Sequence, residues 1–229
     1  MAALEVPDYL VPRPPMPADP AALAAFDALF EEVEASQGKL VDYRLELPIW
    51  QFLAYLADTR DVLLHGSGNP AIAEFEPRKS DDVNEFGDRR AVYAASDALW
   101  AMYFAILDRE HQPMSLINSS VRIEGDDGSL TAPYYFFSIS ETARAARAFR
   151  AGTVYLLPRE TFEQQAPLSL DGRRIHLAHW ASPLPVRPLA RFTIRPDDFP
   201  LLDAIRGHDD ESTFARARAN PDGFPWLEE

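Results

Sequence analysis

His65, Gly66, Ser67 and Gly68 follow the short apolar run from Val62 to Leu64, so an imidazole, a hydroxyl and unhindered main-chain amides stand together where a strand would end. That set suits close capture of a polar ligand, because glycine lets the backbone approach a partner with no side chain in the way and reaches φ values that other residues avoid. A plain turn carrying a solvated histidine would use the same residues. A second apolar run, from Ala91 to Ala95, carries Tyr93. Ser96 or Asp97 can then accept from the free amides of a helix running from Ala98 to Leu107. The intervening stretch from Glu74 to Arg90 is polar and charged, and long loops of that kind tend to be functional or mobile. Arg78 within it is a candidate for a diphosphate contact, since a guanidinium offers paired donors to phosphate oxygens; a surface ion pair is the alternative. Residues 82–87 half imitate a calcium loop, but Phe86 and Tyr93 fall where ligands should be, which excludes calcium.

The elements that must position these residues can be read in order. Residues 1–20 are proline-rich and read as an extended lead-in. Asp19-Pro20 starts a helix with apolar residues at Leu23, Phe26, Leu29, Phe30 and Val33, which Gly38 can close. Pro48 opens a second helix, and residues 21–58 form an N-terminal helical segment. Residues 59–205 make the main domain, and 206–229 a charged tail that docks through Phe224 and Trp226. Within the main domain, Met114 to Ile123 and Pro133 to Ile139 read as a hairpin around Asp127-Gly128. Ser140 caps a helix over 141–151, Thr153 to Leu157 is a strand, and Arg191 to Arg195 alternates as another. Glu160 and Glu163 fall in a turn after Pro158. His176 and His179, three apart near a strand, would point to opposite faces, so no metal site is expected. Helices first and then short strands with one intervening helix make an α+β pattern.

A formal charge of -14 repels polyanions and argues against bulk nucleic-acid binding. No apolar run approaches the roughly 20 residues that span a bilayer. The acidic, proline-bearing start lacks a signal-peptide core, so a cytoplasmic location is the expectation. The absence of cysteine removes disulfides, thiolate catalysis and cysteine-held zinc. There is no Gly-x-Gly-x-x-Gly, no phosphate-binding loop with lysine and no Gly-x-Ser-x-Gly.

The order of the pieces resembles the ADP-ribosyltransferase superfamily, which includes diphtheria-type toxins and poly(ADP-ribose) polymerases. His65-Gly66-Ser67 is similar to its strand-ending His-Gly-Ser or His-Gly-Thr. Val92-Tyr93-Ala94-Ala95-Ser96-Asp97 is similar to its tyrosine strand, and Phe104, with Tyr103 beside it, falls where a second aromatic stands on the following helix. The resemblance covers roughly residues 60 to 200. It implies a split antiparallel β-sheet core, here with an N-terminal helical extension, and NAD as substrate. His65 would bond a ribose hydroxyl, Gly66 would hold the nicotinamide amide through its backbone with Ser67 beside it in the cofactor site, and Tyr93 with Phe104 would sandwich its ring. His65 and the ring of Tyr93 must then meet across one cleft.

The chain departs from the family at the late-strand glutamate. The stretch that looks equivalent is Ala178-His179-Trp180-Ala181-Ser182, with His179 in that place. A carboxylate helps nicotinamide leave by opposing the positive charge that grows on the ribose; a neutral imidazole brings no such charge. The sequence therefore supports two functions. One is cleavage of the nicotinamide bond with transfer of ADP-ribose to a protein acceptor or to water, using His65, Tyr93 and His179. The other is a catalytically silent module that binds NAD, an ADP-ribose-containing molecule or a protein. A phosphotransferase acting on an RNA 2'-phosphate is a third reading, which the acidity opposes.

Overall fold

A computed structural model describes residues 6–80, 85–170, 172–221 and 223–227. Its elements in chain order are β1 (Val11–Pro12), α1 (Pro20–Ala35), α2 (Ile49–Thr59), β2 (Val62–Ser67), β3 (Arg78–Lys79), β4 (Arg90–Ala95) and α3 (Ala98–Ile106). They continue with β5 (Leu116–Ile123), β6 (Tyr134–Ser140), α4 (Glu141–Ala145), β7 (Gly152–Pro158), β8 (Glu163–Gln164) and β9 (Leu168–Leu170). The last are β10 (Arg173–Leu177), β11 (His179–Ser182), β12 (Ala190–Ile194), β13 (Arg206–His208) and α5 (Asp210–Ala219). One sheet has the order β1-β6-β5-β10-β9, with β13 added parallel to β6; the other runs β12-β7-β2-β4-β11-β8, with β3 on β4. All the other strand pairs are antiparallel, giving an α+β fold.

Local chemistry accounts for the helices. Asp19 accepts the Ala21 amide with Pro20 at the first position of α1, and Ala22, Phe26, Leu29 and Val33 bury its inner stripe. Pro48 starts α2, whose Trp50, Phe52, Leu53 and Leu56 are buried. Asp97, not Ser96, caps α3 by accepting the Trp100 amide at 2.9 Å. The core joins α1, α2 and α3 to Leu64 and Ala95, to Val154 and Leu156 of β7, and to Tyr135 and Phe137 of β6. α3 therefore lies between the two sheets. The other face of the β2–β4 sheet carries a smaller cluster of Leu63, Phe75, Val92, Ala94, Tyr155 and Trp180.

Five expectations change. The helical segment at 21–58 shares the sheet core rather than forming an appendage. The lead-in contributes β1, paired with β6. The charged tail begins as β13 within a sheet, although its Phe224 does dock as expected, on Phe136 at 5.3 Å between ring centroids. The helix expected over 141–151 stops at Ala145, because the chain leaves it through Arg147 at φ 50. Ser140 is the N-cap residue of α4 but makes no side-chain cap bond; its hydroxyl donates to Asp210 at 2.8 Å. Among the described residues no helix is long and apolar enough to cross a membrane.

β13 is fastened by buried His208. The Ser138 hydroxyl donates to the Arg206 carbonyl at 3.2 Å, so the contact between His208 Nδ1 and Ser138 Oγ at 2.7 Å is a donation by the imidazole. On the other side, Nε2 is 2.7 Å from Ser115 Oγ and 3.3 Å from Asp210. Burial lowers the His208 pKa, against the opposing pull of Asp210 and Asp209. A basic group held below its unfolded pKa of about 6.5 takes a proton more readily when unfolded. Its contribution is therefore intact above that pH and is lost as pH falls below it. Urea unfolding of the wild type should weaken between pH 7 and pH 5, and His208→Gln should flatten that slope. An equal slope in the variant would remove His208 as the cause.

Candidate functional site

β2 is laddered unequally on its two edges. Toward β7 it pairs from Val62 to Ser67, whereas toward β4 it pairs only at Leu64, opposite Ala95. Among the described residues, the β4-side edge from His65 to Ser67 thus has no ladder partner, and the two strands part as a wedge. His65 Nδ1 lies 2.7 Å from the Tyr93 carbonyl oxygen across that wedge. A carbonyl can only accept, so Nδ1 carries the proton and Nε2 keeps a lone pair. Burial first, and the charge of Arg109 second, hold the His65 pKa below its ordinary value against the pull of the Tyr93 carbonyl, which leaves a neutral imidazole at pH 7.

The wall behind His65 is built by Phe75, whose ring is 4.6 Å from the imidazole and 5.1 Å from Tyr155. The Tyr155 hydroxyl accepts the Ile72 amide at 3.0 Å and donates to the Asn69 carbonyl at 2.7 Å, fixing the loop between. Ser67 Oγ accepts the Asn69 amide at 3.1 Å, so part of its bonding capacity serves the turn. Gly66 has a structural cause that differs from the expected one. A Cβ there would stand 1.8 Å from the Ala101 carbonyl oxygen of α3; helix packing by itself requires the glycine.

Tyr93 meets His65 through its main chain and not through its ring. Leu64 opposite Ala95 places Tyr93 and Ala95 on the α3 face, while His65 falls on the Phe75 face, because side chains alternate along a strand. The Tyr93 hydroxyl reaches the carbonyls of Arg89 at 2.9 Å and Phe86 at 3.1 Å. The expected meeting of imidazole and phenol is thereby corrected to imidazole and backbone.

His179 stands on β11 opposite Ala95 and on the Tyr93 face. Its ring lies 5.1 Å from Tyr93, 5.2 Å from Phe86 and 5.5 Å from Trp100, and its Nδ1 is 3.0 Å from Oε1 of buried Gln165. An amide oxygen accepts, so Nδ1 again bears the proton. The late-strand position therefore holds a histidine boxed by aromatic rings. Glu163, expected in a turn, is on β8 opposite Ala181, which is itself opposite Tyr93. That row puts its carboxylate on the Tyr93 face, two strands and about 10 Å from Tyr93, with Arg89 3.9 Å away.

The remaining expected residues separate. Tyr103 is fully buried, stacks on Phe137 at 4.5 Å and donates to the Ser138 carbonyl at 3.0 Å, so it belongs to the core and not to a ligand wall. Phe104 is half-buried and packs on Trp100 and Tyr103. The ring of His179 lies against Tyr93 at 5.1 Å, in the space where nicotinamide was expected between Tyr93 and Phe104. Arg78 is exposed on β3 opposite Ala91. His176 bonds Glu124 at 2.6 Å, and among the described residues no group of metal ligands forms. Of residues 82–87, 82–84 lie outside the described residues. Gln165, Trp100 and Phe75 were not found from sequence. Gln165 reaches His179 only because β8 pairs with β11, and no spacing announces that.

Fold and cleft together define an α+β protein of two largely antiparallel sheets, with a wedge between β2 and β4 that has a histidine on one side and an aromatic box on the other. No protein-family model, curated protein or solved structure matches the chain.

Proposed function

We propose that the chain is an ADP-ribosyltransferase-like protein that binds NAD or another ADP-ribose-containing molecule in the wedge between β2 and β4, without rapid cleavage of the nicotinamide bond. The observation that carries this reading is the unpaired β2 edge beginning at His65, with a neutral imidazole whose Nε2 keeps a lone pair. A ribose hydroxyl can donate to that nitrogen, and main-chain groups along an edge without a ladder can bond a carboxamide. The order of a histidine strand, a tyrosine strand, a helix and a strand beside β4 supports the same reading.

Slow chemistry follows from His179. An oxocarbenium-like transition state gains most from a negative charge aimed at it, and an imidazole, which is never anionic at ordinary pH, supplies none. One observation favours turnover instead: Glu163 shares the Tyr93 face. On that second reading its carboxylate assists departure of nicotinamide, and ADP-ribose passes to a protein acceptor or to water.

Calorimetry with NAD and with ADP-ribose, alongside an assay of nicotinamide release, tests both. His65→Ala should weaken binding about tenfold, the worth of one hydrogen bond of roughly 1.4 kcal/mol. Release should be negligible in the wild type. Release that Glu163→Gln abolishes would establish the second reading, and failure to bind either compound would end both.

A further inference from the structure

A cavity of about 480 Å³ lies beyond β12, lined in part by Lys39, Arg187, Arg191, Glu74 and Ala73. We propose that it is a binding site for the phosphoryl groups of a small phosphorylated ligand. It is distinct from the wedge and does not rest on the reading of that wedge.

The backbone places the cations together. The Lys39 carbonyl accepts the Arg191 amide at 3.2 Å, and the Val41 amide donates to the Arg191 carbonyl at 2.9 Å, so residues 39–41 run beside β12 and hold Lys39 next to Arg191. The turn before them is pinned. The Gly38 amide donates to the Leu189 carbonyl at 2.7 Å, and the Ser36 hydroxyl donates to the same oxygen at 3.0 Å. Gly38 has φ +82, and a Cβ on it would stand 2.9 Å from the Pro188 carbonyl. A larger residue cannot take this position without strain, so the turn presses close against the segment before β12 that carries Arg187 and Pro188.

Charge then decides the ligand. Arg187 bonds Glu74 at 2.9 Å, whereas neither Lys39 nor Arg191 has a carboxylate partner among the described residues. Three cations and one carboxylate thus line one cavity in a chain whose formal charge is -14. Unneutralised cations repel one another when brought together, and a dianion relieves this. Guanidinium groups match phosphate oxygens in a two-pronged geometry, and an ammonium adds a point charge. The volume falls within the range of small-molecule sites, roughly 300–1,000 Å³. Glu74 competes for Arg187, so it sets the affinity from within.

Inorganic pyrophosphate, titrated into the full chain and followed by calorimetry, tests the site. Saturable one-to-one binding is expected. Lys39→Gln, on an exposed side chain, and Arg191→Gln should each weaken it about tenfold, the worth of a charge-assisted bond. Glu74→Gln, which frees Arg187, should tighten it several-fold, an outcome that misfolding cannot imitate. His65→Ala should leave it unchanged. The proposal fails if pyrophosphate does not saturate, if binding survives both cation substitutions, if Glu74→Gln weakens it, or if His65→Ala abolishes it, which would place the anion in the wedge.

Discussion

Gly66→Ala is expected to destabilise the protein by about 3 kcal/mol or more, at the upper end of what overpacking costs. The added Cβ would stand 1.8 Å from the Ala101 carbonyl oxygen and 2.8 Å from the Ala105 nitrogen. Both are helix backbone, which cannot swing aside as a side chain does, so α3 would have to retreat from β2. Gly152 meets the same obstacle on β7, with a Cβ position 1.8 Å from the Ala105 carbonyl. Gly68→Ala is the control. Its Cβ would approach only the flexible end of Arg150, at 2.5 Å, and a loss of less than about 1 kcal/mol is expected there. Urea midpoints compared at constant slope measure both changes. Equal midpoints for wild type and Gly66→Ala would show that α3 does not rest on β2.

Asp97→Ala should cost about 2–4 kcal/mol, combining about 1 kcal/mol for a lost helix cap with roughly 1–3 kcal/mol for an orphaned buried hydroxyl. One carboxylate oxygen caps α3 through the Trp100 amide, and the other accepts the Tyr135 hydroxyl at 2.8 Å. Burial, partly offset by those bonds, pushes the Asp97 carboxyl above its usual range. Tyr135→Phe removes the hydroxyl as well as its need, so the double variant should lose less than the sum of the single losses. Strict additivity in a denaturation cycle would show that the two side chains act independently.

These two residues also mark how far the sequence could be read. Asp97 before an apolar stretch announces a cap, and its role needed no tertiary knowledge. Gly66 announced only freedom of approach. Whether that freedom serves a ligand or a helix depends on Ala101, thirty-five residues along the chain. The strands at Val62, Ala91 and Thr153 were legible because short apolar runs end at glycine, proline or a cap. α3 is apolar on nearly every side, with Phe104 its one residue that is not buried, so no stripe in its sequence says which aromatic faces the cleft. That is why Tyr103 was misplaced. His179 was read within a strand-like stretch and opens β11, but its box is made by Phe86, Trp100 and Gln165, which no spacing in the sequence brings together. β13 hid in a charged tail because a single strand laid parallel on an existing sheet needs few apolar residues, and a buried histidine bonded to serines does the fastening.

At Gly66 and Gly152 two helix carbonyls rest directly on strand backbone, with no side chain at those points that could repack. Whatever enters the wedge from the solvent would meet one flank already fixed in shape. The entropy of ordering that accompanies association would then fall on the visitor and on the opposite flank, where the carbonyls of Phe86 and Arg89 hold Tyr93. Selectivity should accordingly be altered most readily by substitutions on that second flank.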